Sequence, residues 1–113
     1  MFAFLMGPKS ISLTELHGIL DDRKVIVIDV NSRQSWEKHH VPGALHFDPV
    51  AWTEADLPTD RATGLVFYCS NPMCRKAPSA ARRAKSMGYA NVRVLSSGIA
   101  GWIAAKLPTE GTG

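Results

Sequence analysis

The candidate nucleophiles of this 113-residue chain are its two cysteines, Cys69 and Cys74. Cys69 closes an apolar run of the buried-strand type, and a polar loop leads from it to the start of a helix. Backbone N–H groups that run into a helix N-terminus attract anions and favour thiolate over thiol. Arg75, in the same loop, would strengthen that positive field. The sequence therefore predicts a thiolate at Cys69, in a pocket that binds oxyanions, able to attack a sulfane sulfur, a phosphoryl group or an arsenate.

Each cysteine also has a simpler interpretation. Cys69 could be a buried structural thiol, because free cysteine is among the most buried residue types. Cys74 could be a loop residue without a role, or a resolving thiol that forms a reversible disulfide with an oxidised Cys69. Four residues separate the cysteines, which is not zinc-knuckle spacing, and His17 and His46 are isolated, so no metal site is predicted.

The elements that must position Cys69 alternate between strand and helix. The predicted strands span 25–30, 44–47, 65–69 and 92–95. The predicted helices span 13–20, 33–38, 78–87 and 99–105, with one further helical turn expected within 49–64. The β-branched run at 25–30 is typical of a strand buried on both faces of a parallel sheet. The alternation indicates an open, mostly parallel α/β sheet, whose ligands bind at the carboxyl ends of the strands.

Capping residues support three of these helices. Ser12 and Glu15 form a capping-box pattern, and Ser32 is a candidate N-cap for the second helix. Pro78 suits the first position of the third helix, and Gly88 suits a left-handed conformation just past its end.

Composition indicates one ordinary globular domain, with 45% apolar and 20% charged residues. We expect that domain at 11–108, after an N-terminal extension at 1–10 and before a tail at 109–113. The apolar segment at 1–6 is interpreted as a tail or edge segment, and no run approaches the ~20 residues of a membrane-spanning helix. A cytoplasmic protein is expected, with an exported form left open.

A net charge of +3 is too small to imply a nucleic-acid partner. Much of the positive charge clusters at Arg75, Lys76, Arg82, Arg83 and Lys85. Such a run is usually a solvated helix face, but beside a reactive cysteine it would also form an anion-attracting rim.

Three ordered motifs resemble those of rhodanese-like domains. The first is Ile28-Asp29-Val30 with Trp36-Glu37 and His40-Val41-Pro42-Gly43-Ala44. The second is Val66-Phe67-Tyr68-Cys69 with Arg75 and Ala80-Ala81. The third is Gly88-Tyr89-Ala90-Asn91-Val92 and Ser97-Gly98-Ile99-Ala100-Gly101-Trp102, ending in Leu107-Pro108. The resemblance covers about 11–108 and implies a three-layer α/β domain with a central, mostly parallel sheet flanked by helices.

The resemblance also implies an activity and a site. A persulfide would form on Cys69, with sulfur taken from thiosulfate or another persulfide and passed to cyanide or a thiol, without a cofactor. The donor would be held by loop residues, with Arg75 the leading side chain. These residues are Ser70, Asn71, Met73, Cys74, Arg75 and Lys76. Asp29 and His40 would be structural residues near the site, although Asp29 could instead act as a general acid.

The chain departs from the family pattern around the loop. Five residues separate Cys69 from Arg75 where the familiar loop has four, which resembles the rhodanese-fold phosphatases and arsenate reductases. Pro72 removes one N–H from the cradle, Asn31 replaces the usual arginine, and Ser97 replaces one of two paired glycines.

A sulfurtransferase is the leading functional hypothesis. The alternatives are a sulfur-relay or binding module that meets another protein, and an oxyanion-acting enzyme in which Cys74 is the resolving thiol. The expected partners are a small sulfur-containing anion or a protein persulfide and a thiol acceptor, with no nucleic acid or membrane. A monomer or weak dimer is expected.

Overall fold

Short apolar segments form a five-stranded sheet in the computed structural model, which describes residues 8–113. The strands are β1 (Lys9–Ser10), β2 (Val25–Asp29), β3 (Leu45–His46), β4 (Gly64–Tyr68) and β5 (Val92–Val94). Their order across the sheet is β1-β5-β4-β2-β3, and all four pairings are parallel. The predicted parallel α/β fold is confirmed.

Helices cover both faces of this sheet. They are α1 (Leu13–Gly18), α2 (Arg33–Lys38), α3 (Lys76–Ser86) and α4 (Gly98–Ala104), with a 3₁₀ helix at Glu54–Asp56 as the turn expected in that stretch. The predicted bounds of α2 and its Ser32 cap are confirmed, as is the capping box of α1. None of the described helices is long and apolar enough to cross a membrane.

The central strand β4 is buried along its whole length, because β2 and β5 flank it and helices cover its two faces. Leu65 and Phe67 face one core cluster with the alanines of α3, and Cys69 continues that face. Val66 and Tyr68 face the other cluster, beside Leu16 of α1 and Trp102 of α4. The alternation follows from the two-residue period of a strand. The strand ends at Tyr68, and the next residue, Cys69, is directed towards α3.

An alanine stripe lets α3 pack closely on the sheet. Ala77, Ala80, Ala81 and Ala84 recur at helical spacing and are all buried. The helix begins at Lys76, so the predicted start at Pro78 is wrong by two residues. Proline is tolerated there because the N–H groups of a first helical turn have no intrahelical acceptor. The left-handed conformation predicted for Gly88 is confirmed, with φ of 101°.

Other predicted ends move by one or two residues where the backbone turns early. Helix α1 stops at Gly18 rather than residue 20, because Ile19 leaves helical geometry as its C-cap. Helix α4 begins at Gly98, one residue before its predicted start. Lys9 and Ser10 pair with β5, and the apolar segment at 1–6 lies outside the described residues. At the other end, Glu110 exchanges two backbone hydrogen bonds with His40.

Candidate functional site

Cys69 is the first residue after β4, at the carboxyl edge of the sheet. Its side chain belongs to the core cluster beneath α3, and the residue is 3% exposed. The loop that follows it runs directly into the first turn of α3. This location confirms the expectation that the cysteine lies between a strand end and a helix N-terminus.

The backbone after Cys69 is fixed by α4. The amides of Ile99 and Ala100 donate to the carbonyls of Cys69 and Ser70, each at 2.9 Å. Gly98 makes that approach possible, because a Cβ at this position would lie 2.6 Å from the Ser70 carbonyl carbon. Its φ of 66° is also a conformation that favours glycine. Two helices therefore hold the cysteine loop, one at each end.

Asn71 organises the tip of the loop. Its side-chain Oδ1 accepts from the Met73 amide at 2.9 Å, and its carbonyl accepts from the Cys74 amide at 3.1 Å. The turn leaves the Met73 side chain 85% exposed and brings Cys74 back over Cys69. The amides of Met73 and Cys74 are thus used inside the loop rather than facing a bound anion.

The two cysteines lie next to each other, since both line one small cavity and Cys74 packs against the core cluster that contains Cys69. Amides of Ser70 and of the first turn of α3 favour the ionised forms of the two thiols. The cavity has a volume of about 40 Å³ and is also lined by Pro72, the first turn of α3 and residues 94–96. The cavity has room for a water-sized group next to the sulfurs.

Ionisation of the pair favours the outer thiol. Burial, with a smaller effect of the hydrogen bond to Cys74, raises the pKa of Cys69 to about 11. Burial also opposes ionisation of Cys74, but the hydrogen bond from Cys69, the two amides and the Lys76 charge outweigh it and lower the pKa of Cys74. At Cys69, burial and the neighbouring thiol thus oppose the field of the helix N-terminus, and the thiolate expected there stays a prediction.

Positive charge around the site comes from the start of α3. Arg75 precedes the helix and is exposed, and Lys76, its first residue, lies close enough to lower the pKa of both Cys74 and Asp48. Arg83 lies elsewhere: its guanidinium is 4.2 Å from the centre of the Trp52 ring and donates to the Trp52 carbonyl. The basic run of the sequence is thus divided between a rim at the cysteine loop and a structural contact.

A buried polar chain links the end of β2 to the cysteine loop. Asp29 Oδ1 accepts from the Asn31 amide at 2.7 Å, and Asn31 Oδ1 accepts from the Ser70 hydroxyl at 2.7 Å. Asp29 is fully buried, and this burial raises the pKa of its carboxyl group. These contacts hold the loop in place and are those of a structural residue.

His40 fixes the turn after α2. Its ring stacks on Trp36 at 4.5 Å, its Nδ1 lies 2.6 Å from the Trp36 carbonyl, and its Nε2 lies 3.7 Å from Glu110. Within residues 8–113, no group of three or more His, Cys, Asp and Glu side chains could hold a metal ion.

Two features of the site were missed from the sequence. Gly98, expected only as part of the third motif, sets the approach of α4 to the loop, and Asn71, expected to hold the donor, organises the loop tip. A glycine in a strand-to-helix turn was the signal for the first. An asparagine two residues before its hydrogen-bond partner, as in an Asx turn, was the signal for the second.

Comparison with known proteins agrees with this architecture. The family model of the rhodanese-like domain matches residues 12–105. A solved structure, the BH2092 protein of Bacillus halodurans, superposes with a TM-score of 0.85 at 23% identity, covering 93% of this chain and 78% of that one. That likeness shows the fold.

Two curated proteins are similar in sequence. The HTH-type transcriptional regulator Rv0324 of Mycobacterium tuberculosis is 33% identical over 90 residues, which are 77% of this chain and 38% of that protein. The chain thus corresponds to little more than a third of the regulator. The human thiosulfate:glutathione sulfurtransferase is 27% identical over 114 residues, covering 88% of this chain and 96% of that protein.

Iodoacetamide at neutral pH should label Cys74 before Cys69, because Cys74 is partly exposed whereas Cys69 is buried, and because the lowered pKa of Cys74 favours the reactive thiolate form. Tandem mass spectrometry of the peptide that carries both cysteines measures the order. A Cys74→Ala variant should label faster at Cys69, since the neighbouring thiol that helps to raise its pKa is gone. Labelling of Cys69 first in the wild type would contradict the ionisation order.

Gly98→Ala should lower the free energy of unfolding by about 2 kcal/mol, because the new Cβ meets the Ser70 backbone and alanine is strained at this φ. Urea unfolding measures the change. Gly18→Ala is the matched control, since a Cβ there meets nothing within 4 Å. Equal stability of the two variants would show that α4 does not constrain the loop.

Proposed function

The chain belongs to the family of rhodanese-like domains, and from that premise we propose that it is a sulfurtransferase that carries sulfur as a persulfide on Cys69. The observation that supports this most directly is the position of Cys69, buried at the end of β4 beside a small cavity and under the amides of Ser70 and Ala77. A persulfide adds one sulfur atom to the Cys69 side chain, and the cavity beside this residue has space for a group of that size.

In the first half-reaction, Cys69 takes the outer sulfur of thiosulfate. In this proposal Cys74, which lines the same cavity and has a lowered pKa, acts as a thiolate that takes up the Cys69 proton, and the Cys69 sulfur attacks the sulfane sulfur. The S–S bond of thiosulfate breaks, sulfite leaves with the bonding pair, and an anionic persulfide remains. The Ser70 and Ala77 amides and the N-terminus of α3 stabilise the negative charge that develops there.

In the second half-reaction, a nucleophile removes the sulfur. Cyanide or a thiolate attacks the outer sulfur of the persulfide, the S–S bond breaks, and the Cys69 thiolate is regenerated. The human relative is named for thiosulfate and glutathione, which makes a sulfur anion as donor and a thiol as acceptor the leading pair for this chain.

The donor's sulfonate would stay at the mouth of the cavity, where Arg75 and Lys76 provide positive charge. The other loop residues expected to hold the donor are Ser70, Asn71, Met73 and Cys74. Hydrogen bonds within the loop already use the Asn71 side chain and the amides of Met73 and Cys74, so we assign these residues to shaping the mouth of the cavity rather than to binding the sulfonate. Phosphatase or arsenate reductase chemistry receives less support from the loop. Pro72 has no N–H group, and the amides of Met73 and Cys74 already donate hydrogen bonds to Asn71. Few donors therefore remain for a tetrahedral oxyanion.

A second candidate function is sulfur relay to a protein partner. The Met73 side chain at the loop tip is 85% exposed, and an exposed apolar side chain beside a reactive group suits contact with another protein. Transfer of labelled sulfur to protein acceptors, with negligible turnover of free cyanide, would favour this function over the enzyme.

Cys69→Ser should reduce thiosulfate:cyanide activity by on the order of a thousandfold or more, because the hydroxyl is a far weaker nucleophile and cannot form the persulfide. Thiocyanate formation measures the rate, and an unchanged thermal unfolding curve controls for folding. Undiminished activity would exclude Cys69 as the sulfur carrier.

Lys76→Met and Arg75→Met should each raise the KM for thiosulfate about fivefold, since an exposed charge contributes roughly 1 kcal/mol to an ionic contact. The kcat should change less, and the difference should shrink at high salt. Arg82→Met is the matched control, because Arg82 is exposed on the same helix away from its first turn. An unchanged KM would remove both side chains from the donor site.

A further inference from the structure

In the proposed sulfur transfer, Cys74 only takes up the proton of Cys69. After that step this second thiol of the site has no further role. Cys74 is held over Cys69 by the turn at Asn71 and lines the same cavity. It also packs against the core cluster that contains Cys69. Its amide donates to the Asn71 carbonyl, and the positive charge of Lys76 favours its thiolate form. Cys74 is therefore in a position to react with Cys69, whereas the adjacent Met73 faces solvent.

We propose that Cys74 resolves the Cys69 persulfide, which releases hydrosulfide and leaves a Cys69–Cys74 disulfide. This inference rests on the proposed function, because it needs the persulfide as its starting point. It adds an activity: with a dithiol as co-substrate, the protein would reduce a sulfane donor to hydrosulfide without an external acceptor for the sulfur.

The step balances within the pair. After the first half-reaction, Cys74 holds the proton that left Cys69, and it returns that proton to the outer sulfur of the persulfide. The Cys74 thiolate then attacks the inner sulfur, which is Sγ of Cys69. The S–S bond of the persulfide breaks and the outer sulfur leaves as hydrosulfide. The sulfane sulfur is reduced by two electrons, and the two cysteine thiols are oxidised to one disulfide.

Contact geometry favours attack on the inner sulfur. Cys69 and Cys74 line the same small cavity, and Cys74 packs against the core cluster that contains Cys69, so the attacking thiol lies near the atom it must reach. The outer sulfur would lie in the cavity at the mouth of the site, from which a small anion can leave.

Turnover then requires a reductant of the dithiol class. A dithiol attacks the enzyme disulfide, forms a mixed disulfide, and closes its own disulfide as both cysteines return to thiols. The overall reaction converts one thiosulfate and one dithiol into sulfite, hydrosulfide and an oxidised dithiol, with release of one proton. The substrates of this activity are therefore a sulfane-sulfur anion and a dithiol, rather than a monothiol that carries the sulfur away.

The test is a single turnover of the reduced protein with thiosulfate, under anaerobic conditions and without added reductant. Hydrosulfide is trapped as its bimane derivative, and intact mass is followed until it stops changing. Wild type, Cys74→Ser and Cys69→Ser are compared, with Ser79→Ala as a matched control at an exposed position of α3. Dithiothreitol is added at the end.

Wild type and Ser79→Ala should release one equivalent of hydrosulfide and finish two hydrogens lighter than the reduced protein, and dithiothreitol should restore their mass. Cys74→Ser should load more slowly but keep the mass of one added sulfur and release no hydrosulfide. Retention of the sulfur by wild type, or equal release by wild type and Cys74→Ser, would overturn the resolving role while the proposed function stands. Absence of added sulfur from Cys74→Ser, with no hydrosulfide from wild type, would overturn the proposed function and this inference with it.

Discussion

The burial of β4 between β2 and β5 is the constraint on which the rest of the structure depends. This central parallel strand is buried along its whole length, and in this chain the residue that follows it is buried as well, before the loop reaches solvent. That residue is Cys69. The chain must then turn at once into α3 to cover the sheet, which brings amides of the first helical turn to the cysteine. The end of β4 thus determines both where the candidate reactive cysteine lies and how the chain enters α3.

Burial of Cys69 disfavours its charged thiolate form. The second thiol, Cys74, has the opposite shift in pKa. The amides of Ser70 and Ala77 favour a charged Cys69, but burial outweighs them and raises its pKa, whereas the pKa of the less buried Cys74 is lowered. In the proposed mechanism Cys74 takes up the proton of the buried nucleophile, so the spacing of the two cysteines in the loop determines whether that transfer can occur.

Local patterns were sufficient to predict most of the fold and the position of Cys69 between a strand and a helix. The β-branched run at β2, the Ser32 cap and Gly88 gave their elements directly, because each reports on a neighbouring stretch of backbone. The pKa of Cys69 could not be predicted in the same way, since it depends on burial beneath α3 and on a partner five positions away that returns only through the turn at Asn71. The role of Gly98 depends on contact with Ser70, a residue distant in sequence.

The central claim is that Cys69, rather than the more exposed Cys74, first receives the sulfur. Its most direct test is rapid quenching of wild-type protein with iodoacetamide during the first turnover of thiosulfate, followed by tandem mass spectrometry. We predict that the earliest samples carry an alkylated persulfide at Cys69. An alkylated persulfide that appears first at Cys74, with Cys69 unmodified, would contradict the account.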